Sequence, residues 1–127
     1  MPQSPHPPPS IAIIDNDPRL LASLSELFES SGFSVLTFSS GQEFVNADGL
    51  KQVDGIVADI GMPGLNGFEL KEIVERLRPE VPMILMTGRY ELIERLGTDG
   101  LQRHTIFTKP FDGWKLVATL SEAVRRN

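Results

Sequence analysis

Five short runs rich in apolar residues recur along the chain, separated by longer polar and amphipathic stretches. They occupy residues 11–14, 34–38, 55–58, 81–86 and 106–107. The first and third runs are continuously apolar, which is typical of strands buried on both faces of a sheet rather than of strands with one wet face. Pro82 is compatible with a strand only because it falls near the start of its run. The pattern therefore predicts five short strands.

Helical patterns fill the intervals between the runs. Asp17 and Pro18 suit the cap and first position of a helix that Gly32 ends. The apolar residues of this helix fall on one face: Leu20, Leu21, Leu24, Leu27 and Phe28. Ser-x-x-Glu spacing at Ser40 and Asn-x-x-Glu spacing at Asn66 predict capping boxes at the starts of the second and third helices.

The later helices carry patterns of unequal strength. The third is expected to close at Pro79 and to bury Phe68, Ile73, Val74 and Leu77. The fourth has the weakest pattern, because one apolar patch (Leu92, Ile93 and Leu96) is followed by Gly97, Gly100 and polar residues that give little to bury. The last is capped by Asp112 and buries Leu116, Val117, Leu120, Ala123 and Val124.

The alternation of strands with helices predicts an α/β fold, a doubly wound five-stranded parallel sheet covered by helices on both faces. The flavodoxin-like strand order 2-1-3-4-5 is one of the few solutions at this size. One domain is expected over residues 11–127. It follows an arm, residues 1–10, that holds five prolines and is expected to be disordered.

Composition excludes several classes of function. The net charge of −5 argues against unassisted binding to nucleic acid, which requires a basic surface. The absence of cysteine excludes disulfides, thiolate zinc sites and thiol catalysis. No apolar segment approaches the ~20 residues of a membrane helix, and a signal peptide is missing, so a cytoplasmic protein is expected.

Polar side chains follow four of the predicted strands where each strand ends. Asp15 and Asn16 follow the first, Asp59 the third, Thr87 the fourth and Lys109 the fifth. Carboxyl ends of parallel strands meet at one edge of the sheet, so these residues are expected to converge on one site. Oxygen donors from Asp15, Asn16 and Asp59 with a loop carbonyl suit Mg²⁺. An ionised Asp59 beside the metal, Lys109 and Thr87 is equipped as a nucleophile toward phosphorus.

The ordered motifs resemble the receiver domain of two-component response regulators, CheY-like and of the FixJ type. They are the acidic cluster at Asp15, Asp-x-x-Met-Pro-Gly-x-x-Gly at residues 59–67, Thr-Gly at Thr87 and Lys-Pro-Phe at Lys109. The resemblance implies that Asp59 is the phosphoacceptor, that Thr87 and Lys109 contact the phosphoryl group, and that the Gly61 carbonyl binds Mg²⁺. It also implies a cis peptide bond between Lys109 and Pro110.

The same resemblance implies partners and a mode of action. The phosphodonor would be a histidine kinase or phosphotransfer protein. The chain itself would not be an enzyme. It would be a phosphoacceptor that assists its own Mg²⁺-dependent phosphorylation and dephosphorylation. Since the sequence stops after the last predicted helix, a stand-alone receiver that signals through an unidentified downstream protein is expected. The face of the fourth helix, fifth strand and last helix is a candidate homodimer surface.

Two positions depart from the family pattern. Asn16 stands where the family has its second acidic residue, so Mg²⁺ affinity is expected to be weaker than usual. Ile106 stands where the family has a switch aromatic, and Phe107, one position along, should point to the opposite face of the sheet. Together with the weak pattern of the fourth helix, this second departure predicts an altered output face.

Three alternatives remain open. Asn16 and Ile106 also suit a pseudo-receiver, a protein-interaction module that works without phosphorylation. A flavodoxin-like cofactor protein is disfavoured because the loop after the first strand, Asp-Asn-Asp-Pro, would repel a flavin phosphate. A phosphatase with an aspartate nucleophile typically has a second acid two residues later, where this chain has Gly61.

Overall fold

The computed structural model describes residues 7–126, and over that range it contains five strands, six α-helices and one 3₁₀-helix. The strands are β1 (Ser10–Ile14), β2 (Ser34–Phe38), β3 (Gly55–Asp59), β4 (Met83–Thr87) and β5 (Thr105–Thr108). The helices are α1 (Pro18–Ser30), α2 (Gly41–Asn46), α3 (Gly67–Leu77), α4 (Tyr90–Glu94), α5 (Gly97–Arg103) and α6 (Gly113–Arg126), with the 3₁₀-helix at Gly49–Gln52.

All neighbouring strands are parallel and lie in the order β2-β1-β3-β4-β5, which confirms the predicted fold class. Alternate residues of each central strand feed two separate cores. Ala12, Ile14 and Leu85 pack toward α2, the 3₁₀-helix and α3. On the opposite face, Ile13 and Met86 pack toward α1 and α6. Burial on both faces explains why these strands read as continuous apolar runs.

Helix ends follow the predicted capping chemistry, with one change. Asp17 caps α1 by accepting a hydrogen bond from the Arg19 N–H, and Asn66 and Glu69 form a complete capping box on α3. At α2 the Ser40 side chain accepts from the Glu43 N–H as predicted. The Glu43 carboxylate, however, bonds to the backbone and hydroxyl of the preceding Ser39, so this box is not reciprocal.

One packing prediction is wrong, and one predicted helix is divided in two. Leu77, predicted to be buried, is 65% exposed because the inward face of α3 is formed by Leu70 and Val74. The fourth predicted helix is two short helices, and they are broken at Gly97, whose φ of +66° is a left-handed conformation that favours glycine. α6 buries its predicted residues except Ala123, which is half-buried, and it buries Ser121 in addition.

The first strand begins one residue before the apolar run that predicted it. β1 begins at Ser10, whose N–H donates to Asp54, and the Pro9 carbonyl accepts from the Ser34 N–H at 2.9 Å. Disorder was expected over residues 1–10, and residues 1–6 of that arm lie outside the described residues. Within residues 7–126, no helix has the length and apolar character needed to cross a membrane.

Candidate functional site

The site lies at the carboxyl edge of the sheet. Asp15 follows β1 directly, Asp59 ends β3, Thr87 ends β4 and Lys109 follows β5. These four strands are consecutive neighbours in the sheet. Parallel pairing therefore brings together residues that are separated by up to 94 positions in the sequence.

Lys109 bridges the two carboxylates. Its Nζ donates to Asp15 Oδ2 at 2.8 Å and to Asp59 Oδ2 at 3.2 Å. The side chain of Asp15 is 1% exposed, that of Asp59 13% and that of Lys109 27%, so the cluster is largely shielded from solvent but not closed to it. Asp15, Asp59 and Lys109 thus lie together, as the sequence predicted.

Backbone groups hold the other carboxylate oxygens. Asp15 Oδ1 accepts from the Asp17 N–H at 2.8 Å, and Asp59 Oδ1 accepts from the Gly61 N–H at 2.9 Å. Both are local bonds from a strand-end aspartate to the residue two positions on, the turn geometry that aspartate favours. The same turns that end β1 and β3 therefore orient the two carboxylates.

Burial and charge oppose each other within the cluster. Burial raises the pKa of Asp15 above its usual value, the Asp59 charge raises it further, and hydrogen bonds from Lys109 and Asp17 only partly compensate. Burial also disfavours the charged form of Lys109, but its contacts with Asp15 and Asp59 outweigh that effect, and its pKa lies above the usual value. With both carboxylates ionised the three side chains carry one net negative charge, which favours a bound cation.

Thr87 joins the site mainly through its backbone. Its carbonyl accepts from the Lys109 N–H at 2.8 Å, which fixes the start of the Lys109 loop against β4. Its hydroxyl is buried and accepts from the Arg89 N–H at 2.9 Å. A hydroxyl that accepts one hydrogen bond keeps its own proton to donate and a second lone pair.

The donor set suits a hard divalent cation. Within residues 7–126 no three His, Cys, Asp or Glu side chains are grouped closely enough to hold a metal ion. Mg²⁺ does not require such a group, since one or two carboxylates with carbonyl oxygens and waters suffice. Asp15 and Asp59 supply the carboxylates, exposed Asn16 can add an uncharged amide oxygen, and Gly61 can add its carbonyl.

Arg89 is a site residue that the sequence motifs do not mark. A Cβ placed on Gly61 would lie 3.6 Å from Arg89 Cδ and 3.6 Å from Asp59 Oδ1, so the Arg89 stem lies beside Gly61. The Arg89 guanidinium pairs with Glu91 at 2.8 Å. The only available signal in the sequence is a cation two residues after Thr87.

The peptide bond after Lys109 and the side chains of β5 agree with the expectations from the sequence. The Lys109–Pro110 peptide bond is cis, as the resemblance implied. Ile106 packs with the α2–α3 core, whereas Phe107 packs with the α1–α6 core and meets Phe111 edge-on. The predicted opposite orientation of Ile106 and Phe107 is therefore confirmed.

Comparison with known proteins gives consistent matches along the chain. It is 31% identical over 116 residues to the transcriptional regulatory protein FixJ of Bradyrhizobium diazoefficiens, covering 91% of this chain and 57% of that protein. It is 26% identical over 122 residues to the transcriptional regulatory protein GlrR of Escherichia coli, covering 96% of this chain and 28% of that protein. The chain thus spans about half of the length of the first of these curated relatives and about a quarter of the length of the second.

Solved structures match over nearly the whole chain. The BeF3-activated DrrB receiver domain superposes with a TM-score of 0.79 at 28% identity, covering 94% of this chain and 99% of that one. The family model of the response regulator receiver domain matches residues 11–121. The chain therefore belongs to the response regulator receiver domain family of two-component systems.

Proposed function

We propose that this receiver domain accepts a phosphoryl group on Asp59 from the phosphohistidine of a histidine kinase or phosphotransfer protein. The observation that carries the proposal is the bridging position of Lys109, whose Nζ lies 3.2 Å from Asp59 Oδ2 and 2.8 Å from Asp15 Oδ2. A carboxylate that is held by a turn, paired with a cation and partly exposed to solvent is arranged to attack phosphorus.

The transfer exchanges one bond to phosphorus for another. An Asp59 carboxylate oxygen attacks, an O–P bond forms, and the bond from phosphorus to the donor imidazole nitrogen breaks, with the nitrogen retaining the electron pair. Lys109 offsets charge on the phosphoryl oxygens, and the Gly61 N–H holds the carboxylate in place. In this scheme the chain turns over no separate substrate and assists only its own phosphorylation and dephosphorylation.

Receiver domains generally bind Mg²⁺ at this acidic pocket. We place the ion on Asp15, Asn16, Asp59 and the Gly61 carbonyl, where it would neutralise charge on the phosphoryl oxygens. Asn16 contributes no charge, so the proposal includes a weaker Mg²⁺ affinity than two leading acids would give.

Output is assigned to protein contacts. Receiver domains interact with histidine kinases or phosphotransfer proteins, and the downstream partner and a homodimer are assigned here to the face of α4, α5, β5 and α6. The support for this face is that α4 has no buried residue and that Tyr90 and Trp114 at its borders are both more than half exposed.

A second candidate function is a pseudo-receiver that binds partners without phosphorylation. Asn16 in place of an acid and aliphatic Ile106 in place of the switch aromatic favour it. In that case the Lys109 bridge has a structural role only, and Asp59 is never modified.

Intact mass spectrometry after incubation with acetyl phosphate, with and without Mg²⁺, separates the two functions. A Mg²⁺-dependent gain of one phosphoryl group supports phosphotransfer, and Asp59→Asn must lose it. Asp54→Asn is the matched control, because Asp54 precedes the opposite end of the same strand and should leave the gain intact. If the folded protein gains no phosphoryl group even at high Mg²⁺, the pseudo-receiver function is supported instead.

A further inference from the structure

The segment from α4 to α5 is weakly embedded in the fold. None of the described side chains of α4 or α5 is buried, and Gly97 interrupts the two helices. Leu92 packs against the core from the α4 side. The segment connects Thr87 to β5, and β5 leads to Lys109. A contact that holds the end of α5 in place therefore also holds the start of β5.

That far end is attached to α3 by a small polar cluster. Lys71 Nζ donates to the carbonyl of Arg103, in the last turn of α5, at 3.0 Å. The same Nζ lies 2.8 Å from Nδ1 of His104, the residue that follows α5. The imidazole also packs against the ring of Phe68, one turn earlier on α3, with ring centroids 5.3 Å apart.

The contact between Lys71 and His104 requires a neutral imidazole. An ammonium group can only donate, so Nδ1 must be the unprotonated nitrogen and the ring proton must lie on Nε2. Protonation of His104 would place two donors and two positive charges within 2.8 Å of each other. The contact is therefore present in one protonation state of His104 and lost in the other.

The surrounding charges act in the same direction. Burial lowers the pKa of His104, and the cations Lys71 and Arg103 lower it further, while only Glu75 opposes them. Burial likewise lowers the pKa of Lys71, with Glu75 opposing and Arg103 adding to the effect. The pKa values of both groups are thus lowered, mainly because both are partly buried.

We propose that Lys71 and His104 form a proton-sensitive latch that fixes the end of α5 to α3 while His104 is neutral and releases it when His104 takes up a proton. The latch lies outside the proposed phosphorylation site and operates in unphosphorylated protein. The attachment of the segment from α4 to β5 would therefore depend on pH, independently of phosphoryl transfer.

The sign of the pH dependence follows from linkage. The attached state holds His104 below its ordinary pKa of 6.5, whereas in the released state the imidazole returns toward that value. The released state therefore binds the proton more readily, and release increases as pH falls below the ordinary value. Above it the latch is closed.

Amide hydrogen exchange of the full unphosphorylated chain, followed by NMR between about pH 7.5 and about pH 5.0, tests the latch. After correction for intrinsic exchange, protection of the amides at residues 100–104 should fall toward acid pH. The protection factor should fall about tenfold for each pKa unit by which attachment lowers the His104 pKa. The buried amide of Leu24 on α1 serves as the internal reference and should not change.

Two variants separate the latch from general loosening. His104→Phe keeps a ring against Phe68 but cannot take up a proton, so the pH dependence should disappear. Lys71→Met removes the donor and should release α5 across the whole range, whereas Lys115→Met on the outer face of α6 should behave as wild type. Protection in wild type that does not vary with pH, or an unchanged acid response in His104→Phe, would overturn the proposal.

Discussion

Replacing Lys109 with Met tests the electrostatic account of the site. The substitution keeps most of the side-chain volume but removes the cation that bridges Asp15 Oδ2 at 2.8 Å and Asp59 Oδ2 at 3.2 Å. The Asp15 side chain is 1% exposed, so bulk water cannot replace the lost partner. The variant therefore contains two facing carboxylates, one of them fully buried, with no compensating charge.

The magnitude follows from the burial of the partners. Removing one member of a buried ion pair costs about 3–5 kcal/mol, mostly because the other charge is left unpaired. Lys109 is 27% exposed and Asp59 13%, so the lower end applies, about 3 kcal/mol at neutral pH. For a domain of this size that corresponds to roughly 10 °C in Tm.

The pH dependence gives the prediction its sharper test. The folded-state pKa of Asp15 is raised, so protonation of Asp15 favours the native state, and this stability is lost as pH rises through the folded-state pKa. Without Lys109 that pKa rises further, because the hydrogen bond and the charge that lower it are gone. The penalty of Lys109→Met should therefore be largest at neutral pH and should shrink as Asp15 becomes protonated in acid.

Urea unfolding followed by circular dichroism, in EDTA so that no divalent cation replaces Lys109, provides the measurement. Lys115→Met, the same chemical change on exposed α6, is the control and should change the free energy of unfolding by less than about 0.5 kcal/mol. A variant as stable as wild type at neutral pH, or a penalty independent of pH, would refute the account of two repelling carboxylates held by Lys109.

Two further predictions concern the metal and the backbone of the site. Asn16→Asp adds a charged ligand and should raise Mg²⁺ affinity roughly tenfold by isothermal titration calorimetry, and equal affinities would show that Asn16 lies outside the metal's coordination sphere. Gly67→Ala should cost about 1–3 kcal/mol in urea unfolding, since its Cβ would meet the Asp59 carbonyl at 2.9 Å and Ile60 Cα at 3.0 Å. Gly88→Ala, whose nearest neighbour would be 3.8 Å away, should be nearly neutral, and similar losses at both glycines would contradict this steric argument.

The features of the fold that follow from local chemistry were predictable from the sequence. Continuous apolar runs identified strands buried on both faces, and the resulting sheet order placed Asp15, Asp59 and Lys109 at one edge. The Asn66 capping box also formed as its spacing indicates. Each of these depends on periodicity, on hydrogen bonds within one turn or on the small number of allowed topologies.

The features that sequence left open depend on contacts between distant segments. Leu77 has the periodicity of a buried residue, yet α3 turns it to solvent because Leu70 and Val74 already fill the space against the sheet. Lys71 and His104 are 33 positions apart and carry no joint pattern, so their contact appears only once α5 has packed on α3. Arg89 likewise becomes a site residue only through its position beside Gly61.

The 94-residue separation between Asp15 and Lys109 also has a consequence for folding. Parallel sheets form through non-local pairings, which are slow because long loops must close before any contact is gained. The bridge between the two carboxylates therefore forms only after β5 has joined the sheet beside β4. During synthesis, a nascent chain that contains Asp59 but not yet residue 109 has the proposed phosphoacceptor without its charge partner. Formation of the Lys109 bridge is thus coupled to completion of the fold.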